Sequence, residues 1–117
     1  MSASFHPTIS SSKVEGTSVY NLMGEKLGSI DDLIIDKRNG HVRYAALEFG
    51  GFLGIGTDRF PLPWSMLTYD TDKDGYVVNL DMGQLKSAPH YAKDQAPTWS
   101  DDYGREVYAF YGAPWGV

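Results

Sequence analysis

The sequence predicts a single, mainly β domain, a sandwich or small barrel, followed by a short helical C-terminal extension. Roughly six short apolar segments are separated by turn signals about every eight to twelve residues, as in small all-β domains. Helix-capping patterns appear only in the last third of the chain. With 117 residues, the chain has room for one domain and one hydrophobic core.

The first half of the chain predicts two antiparallel strands joined by a tight turn. The segment before the turn alternates apolar and polar residues only if its phase slips once near Asp31 and Asp32, which indicates a β-bulge. Asn39 and Gly40 then form a strong hairpin signal, because both residues tolerate positive φ. We therefore expect a bulged hairpin that returns along residues 41–49.

A proline-bearing strand begins the second half of the predicted β domain. Its apolar side chains alternate onto one face at Phe60, Leu62 and Trp64. Pro61 and Pro63 share the other face, and because proline cannot donate to a ladder, they favour an edge strand or a bent one. On regular strand faces we expect four core residues: Leu33, Ile35, Leu62 and Trp64.

In the last third of the chain, helix signals replace strand signals. Asp81 is followed three residues later by Gln84, which is a capping-box pattern. A second cap at residues 98–101 begins a helix, and one apolar face is predicted to consist of Trp99, Tyr103, Val107 and Phe110. Gly104 inside this helix costs about 1 kcal/mol relative to alanine, so we expect packing to hold the helix in place.

Three stretches of the sequence resemble the PRC-barrel, the domain named after the photosynthetic reaction-centre H subunit. They are residues 27–36 with the Asn-Gly turn that follows, residues 44–56 and residues 60–65. The resemblance is to small stand-alone bacterial members and covers residues 14–82. It implies a six-stranded β-barrel with an adaptor role and no catalytic residues to carry over. The family also includes the C-terminal part of a ribosome-maturation factor that contacts a small-subunit protein.

The resemblance divides the chain into three predicted parts. Residues 1–13 are expected to be a flexible leader, residues 14–82 the PRC-barrel domain, and residues 83–117 an aromatic-rich helical extension packed on a barrel. The chain lacks the membrane helix of the reaction-centre subunit and the N-terminal domain of the maturation factor. Neither specific role therefore follows from the resemblance.

Composition and charge narrow the expected partners and location. The net charge of −5 and the isoelectric point of about 4.9 predict no nucleic-acid binding and disfavour anionic lipid. The absence of cysteine excludes disulfides, thiolate metal sites and a cysteine nucleophile. The start has no signal-peptide pattern, and no apolar run approaches the roughly 20 residues of a membrane span. We expect a cytoplasmic protein without membrane insertion.

One acidic turn begins like a calcium-binding loop. Asp70, Asp72, Asp74 and Gly75 match the D-x-D-x-D-G pattern. The flanks are strand-like, however, and Asp81 at the twelfth position is shorter than the usual glutamate. We interpret the segment as a hairpin turn, with a metal site at the three aspartates as the alternative, and expect no cofactor.

Two apolar regions are candidate interaction surfaces. In the glycine-rich loop 50–56, Phe52, Leu53 and Ile55 either form a contact surface or fill the end of the barrel. In the tail, residues 88–117 hold seven of the sixteen aromatic residues. The candidate residues there are Trp99, Tyr103 and Phe110. The tail is expected to pack either on its own barrel or on a second subunit.

The sequence assembles no catalytic constellation, because its three histidines are widely spaced and Ser65 has no nucleophile-elbow context. We therefore predict a non-catalytic protein-interaction module of the PRC-barrel type that has a protein partner and forms a homodimer. The alternative is a small-molecule binding protein that holds its ligand in a pocket between the barrel and the aromatic tail.

Overall fold

The structure is a computed structural model that describes residues 8–49 and 58–115. Seven strands form one sheet: β1 (Ser18–Tyr20), β2 (Lys26–Ile35), β3 (Val42–Phe49), β4 (Asp58–Pro63), β5 (Thr68–Asp70), β6 (Gly75–Val77) and β7 (Tyr91–Ala92). Three helices accompany them: α1 (Ser11–Val14), α2 (Met82–Lys86) and α3 (Asp101–Tyr111). A 3-10 turn, Trp64–Met66, links β4 to β5. Residues 11–13, within the predicted leader, belong to α1.

The sheet has the strand order β5-β6-β1-β2-β3-β4-β7. Within the described residues no ladder joins β5 to β7, so the predicted six-stranded closed barrel is wrong in strand number and in closure. The seventh strand lies in the segment predicted as a helical extension, where Tyr91 and Ala92 pair with the start of β4. The pairing between β4 and β7 does not extend to Pro61 and Pro63, which have no backbone N–H to donate to another strand. The mainly β class and the short C-terminal helix are confirmed.

The β2–β3 hairpin has the irregularity that the sequence predicts. The register shifts between Ile30 and Asp32, which confirms the bulge. Gly40 has a φ of +78°, whereas Asn39 does not have positive φ. Asn39 acts instead through its side chain, which accepts a hydrogen bond of 2.9 Å from the backbone N–H of His41. The turn therefore uses the two residues in different ways.

The main core lies on one face of the sheet and is closed by α1 and α2. Its fully buried members include Val19, Ile30, Leu47, Leu62, Val78 and Leu85. Of the predicted core residues, Leu62 is confirmed, and Leu33 and Trp64 pack against the core while partly buried. The prediction that Ile35 is a core residue is wrong, because its side chain is 50% exposed. A second register shift just before Ile35 takes it off the regular face at the end of the hairpin.

The other face of β3 and β4 is also buried, because α3 packs on it. Tyr44 of β3 forms a second apolar cluster with Val107 and Tyr108 of α3. Pro61 and Pro63 pair with Ala46 and Tyr44 and are fully buried. Burial on both faces explains why the sequence of β3 does not alternate cleanly.

The caps of α2 and α3 agree with the sequence. The Asp81 carboxylate accepts a 2.7 Å hydrogen bond from the backbone N–H of Gln84, and the Gln84 side chain accepts one from the backbone N–H of Asp81. The hydroxyl of Ser100 caps α3 by accepting from the backbone N–H of Tyr103. Gly112 ends α3 in the left-handed conformation.

Candidate interaction surface

The inward face of α3 differs from the predicted one by part of a turn. Gly104, Val107 and Tyr108 are buried, while Tyr103 is half-buried and Phe110 is 43% exposed. The prediction that Phe110 packs on the sheet is therefore wrong. Since Gly104 has no side chain, the sequence pattern could not reveal that this residue, rather than Phe110, faces the sheet.

Gly104 allows a close contact between α3 and the folded-back C-terminal residues. A Cβ atom at this position would lie 2.2 Å from the ring of Trp115 and 2.7 Å from the hydroxyl oxygen of Tyr44. The Trp115 ring also packs edge-on to Tyr108 and lies 4.3 Å from the guanidinium carbon of Arg43. The glycine thus costs helix propensity but permits the packing that holds the helix on the sheet.

Trp99 and Tyr103 belong to a chain of aromatic contacts that is internal to the molecule. Trp99 lies 5.3 Å from Tyr44 and 5.7 Å from Tyr103, measured between ring centroids. On its other side it contacts Tyr91 of β7. Burial raises the pKa of Tyr44 to about 12, so its hydroxyl is neutral at physiological pH. These aromatics pack on their own chain.

A charge network joins the β2–β3 hairpin to the start of α3. The Asp36 carboxylate accepts hydrogen bonds from Arg38 at 2.9 and 3.0 Å and from Arg43 at 3.1 Å. Arg38 also forms a two-bond ion pair with Asp101, in the first turn of α3. The Arg38 hydrogen bonds hold the pKa of Asp36 well below its ordinary value. The network therefore stays ionised and pins the hairpin to α3.

A groove of about 430 Å³ lies between this network and the tail. Trp99, Trp115 and Tyr44 contribute aromatic surface, and Arg38 and Asp101 contribute charge. Its position matches the predicted pocket between the β domain and the aromatic tail. The groove is half open, and its arginines and aspartates already pair with one another.

A second groove, of about 570 Å³, lies beside β5 and is surrounded by exposed apolar side chains. Leu22 is 68% exposed, its neighbour Met23 is 83% exposed, and Tyr69 of β5 is 41% exposed. Met66 and Val77 also line the groove. We call these five residues the β5 surface. They are aliphatic side chains, methionines and one tyrosine, the types that adapt to a protein partner.

The turn that carries Leu22 and Met23 is held by the hydrogen bonds of a buried asparagine. The side-chain oxygen of Asn21 accepts hydrogen bonds from the backbone N–H groups of Met23 and Glu25, at 2.9 and 3.0 Å. Its amide group donates to the Glu25 carboxylate at 2.7 Å. Asn21 is only 3% exposed, and Gly24 supplies the positive φ of the turn. The apolar side chains therefore project from a fixed backbone.

The three aspartates of the possible calcium loop form the β5–β6 turn beside the β5 surface. The Asp70 carboxylate accepts from the backbone N–H groups of Asp72 and Lys73, and the Asp74 carboxylate accepts from the hydroxyl of Tyr69. Each of these carboxylates thus has a separate local role. Among the described residues, no group of three or more His, Cys, Asp or Glu is arranged to hold a metal ion.

The structure places the predicted site residues in different parts of the molecule. Trp99 and Tyr103 lie in the aromatic cluster on the sheet, and Phe110 lies on the outer side of α3. Phe52, Leu53 and Ile55 lie outside the described residues. Sequence reasoning did not select the β5 surface. The available signal was Leu22-Met23 inside a polar turn, between Asn21 and Gly24.

The family comparison identifies the first two thirds of the chain. A model of the PRC-barrel domain matches residues 6–85. A protein of Deinococcus radiodurans described as uncharacterized is 26% identical over 81 residues. That match covers 69% of this chain but only 28% of the relative. None of the described helices is both long and apolar enough to span a membrane.

One solved structure is similar in fold, that of the 16S ribosomal RNA processing protein RimM from Pseudomonas aeruginosa. Its TM-score is 0.47 at 19% identity, and the match covers 69% of this chain and 49% of that one. The chain therefore spans about half of this protein and less of the Deinococcus relative. The Pseudomonas protein is named for the processing of 16S ribosomal RNA, and the prediction that nucleic acid is excluded as a partner, which rested on net charge alone, is withdrawn.

Proposed function

The chain belongs to the PRC-barrel domain family, and we propose that it is a non-catalytic protein-interaction module that binds through the β5 surface. The family match confirms the resemblance seen in the sequence. Family membership supports the fold but does not name the partner. A cytoplasmic location, expected from the sequence, is part of the same proposal.

The observation that carries the proposal is the fixed exposure of Leu22 and Met23. Leaving two large apolar side chains in water forgoes the stabilisation of about 1.5–3 kcal/mol that full burial of each would give. Asn21 fixes the backbone of this turn by hydrogen bonds while both side chains lie in solvent. A surface held in this way is preorganised for a partner, which reduces the entropic cost of binding.

The electrostatics of the described residues support a role without catalysis. Asp36 has a pKa displaced downward by its arginine partners, and the displaced tyrosine pKa values are all raised, mainly by burial or by a carboxylate partner. These displacements lead away from neutral pH, whereas general acids and bases are tuned toward it. These pKa displacements are of the kind that structural ion pairs and burial produce.

A photocrosslinking experiment in the cells that make the protein tests this function. A photoreactive phenylalanine analogue replaces Met23 in one version and Ile35 in another, because Ile35 is also apolar and half exposed. We expect a discrete protein adduct at position 23 and a much lower yield at position 35. Equal yields at the two positions, or no adduct at position 23, would contradict the proposal.

The groove between the charge network and the tail favours a second candidate, small-molecule binding. Two tryptophans and Tyr44 offer stacking surface, and Arg38 offers a planar donor. Thermal melting with a fragment library tests it, because a ligand that binds the native state raises Tm. Binders at this site should lose their effect when Arg38→Gln is introduced. A library without any stabilising compound would remove this candidate.

A further inference from the structure

We propose that the partner of the β5 surface is a protein segment in which aliphatic residues are flanked by lysine or arginine. This inference rests on the proposed function and adds the chemistry of the partner. It follows from the position of an acidic turn next to the exposed apolar side chains. Apolar contact would supply the affinity, and the flanking charges would supply selectivity and orientation.

The turn between β5 and β6 is the source of the negative charge. Residues 70–74 contain three aspartates and one lysine, a net formal charge of −2. Asp70 itself lines the groove of the β5 surface together with Leu22 and Tyr69. Asp72 is exposed, and its carboxylate has no ion-pair partner among the residues that the structure describes. Acidic oxygens therefore border the groove directly.

Lys73 offsets only one of the three aspartate charges, and its side chain lies against the turn that carries Leu22 and Met23. Its ammonium nitrogen is 5.3 Å from the ring centroid of Tyr20. The same nitrogen is 3.8 Å from the position that a Cβ atom on Gly24 would occupy. Lys73 thus connects the two turns and holds the aspartates beside the exposed apolar residues.

Two of the three acidic side chains are also held by hydrogen bonds, which favours a directional role. Asp70 is anchored by two backbone N–H groups, and Asp74 is anchored by the hydroxyl of Tyr69. An approaching cationic side chain would meet carboxylates that are already ordered. Ordering them costs no further entropy on binding, so a Lys or Arg of the partner gains more than it would at a mobile surface.

The test is selection from a displayed library of random 12-residue peptides on the full-length chain. We expect the enriched peptides to combine aliphatic residues with at least two Lys or Arg. Binding of the best peptide is then measured for the charge variant Asp70→Asn/Asp72→Asn/Asp74→Asn. Asparagine keeps the hydrogen-bond acceptors and tolerates the positive φ of Asp74, so the turn is preserved.

The charge variant should weaken binding about three- to tenfold at low salt and remove most of its salt dependence, as expected for exposed ion pairs. The matched control is Asp94→Asn/Asp102→Asn/Glu106→Gln, which removes three charges outside the β5 surface. Its affinity should equal that of the wild type. Acidic or uncharged enriched peptides, or equal losses in the two variants, would overturn the inference.

A second variant separates this inference from the proposed function. Leu22→Ser/Met23→Ser should abolish peptide binding, because it removes the apolar contact. If it does so while the charge variant binds normally, the surface is an interaction site of different selectivity, and only the inference fails. If the apolar variant binds normally, or if no peptide is enriched, both fail. Self-association or retention of a random RNA pool that the apolar variant abolishes would also overturn the inference.

Discussion

Of two apolar regions of this molecule, one is mostly buried and the other is exposed to solvent. The aromatic residues of the C-terminal extension are densely packed, and α3 covers the outer face of β3 and β4 with them. The β5 surface has fewer apolar residues, and two of them, Leu22 and Met23, are exposed to solvent. The aromatic residues of the extension mainly pack on their own chain. The exposed residues on the ordered turn are the basis of the proposed binding surface.

The reason for the difference is how each segment satisfies its backbone. The extension has a capped helix and a tail that folds back, so Val107, Tyr108 and Trp115 can pack against the sheet. The turn at residues 21–25 is fixed by the buried amide of Asn21, and its two apolar side chains lie in solvent. Their exposure therefore accompanies both the hydrogen bonds of the turn and the burial of Asn21 in the fold.

The largest expected effect is at Tyr108, in the centre of the covered region. Tyr108→Ala removes ring contacts with Tyr44 and Trp115 and the 2.6 Å hydrogen bond from the Tyr108 hydroxyl to the Arg43 carbonyl. Buried aromatic truncations cost about 3–5 kcal/mol in free energy of unfolding. Urea unfolding measures this loss. A loss below about 1 kcal/mol would show that α3 is not held by this cluster.

The next largest effect is expected at Gly104. Gly104→Ala would normally stabilise a helix by about 1 kcal/mol. Here the added Cβ collides with Trp115 and Tyr44, so we expect a net loss of about 1–3 kcal/mol, as for overpacked cores. In a Trp115→Ala background the loss should shrink, because one of the two obstacles is gone. Stabilisation in both backgrounds would contradict the packing described for α3.

The charge network should make stability depend on pH in the acid range. Because the pKa of Asp36 is held below its ordinary value of 3.8, the ionised carboxylate stabilises the fold fully above about pH 4. That contribution is lost as pH falls below this value toward the folded-state pKa. The stability gap between wild type and Asp36→Asn should therefore narrow from pH 5 to pH 2.5. Asp102→Asn, which removes the carboxylate of an exposed ion pair, is the control and should change the free energy of unfolding much less than Asp36→Asn does at pH 5.

The smallest effect on stability is expected at the β5 surface. Leu22→Ser/Met23→Ser should change the free energy of unfolding by no more than about 0.5 kcal/mol, since both side chains are already in solvent. Thermal melting of the variant beside Tyr108→Ala makes the contrast between the regions quantitative. A large loss at Leu22 and Met23 would mean that they support the fold and are not kept free for a partner.

The local signals in the sequence predicted much of the fold. The bulge near Asp31, the hairpin at Gly40 and the capping box at Asp81 depend on neighbouring residues and appear in the structure. The open, seven-stranded sheet was missed, because β7 has only two residues and is created by pairing with β4. A strand that exists only through a distant partner leaves no periodic pattern of its own.

The candidate site was harder to predict than the fold. Aromatic residues drew attention to Phe110, but Gly104 faces the sheet in its place, and a glycine is invisible to a hydrophobic pattern. The exposure of Leu22 depends on Asn21 being buried, which is a property of the tertiary structure. Side-chain burial of this kind follows from hydrogen bonds and packing across the fold.

The most direct test measures how much partner protein co-purifies with the chain from the cells that make it, when one or the other of the two regions is altered. Three versions are purified under identical conditions: wild type, Leu22→Ser/Met23→Ser, and Phe110→Ser, which alters the exposed aromatic of α3. We predict that the amount of bound partner falls at least about tenfold with Leu22→Ser/Met23→Ser, which corresponds to a loss of about 1.4 kcal/mol in binding free energy. It should be unchanged with Phe110→Ser. Loss of the partner with Phe110→Ser, and its retention with Leu22→Ser/Met23→Ser, would contradict the account.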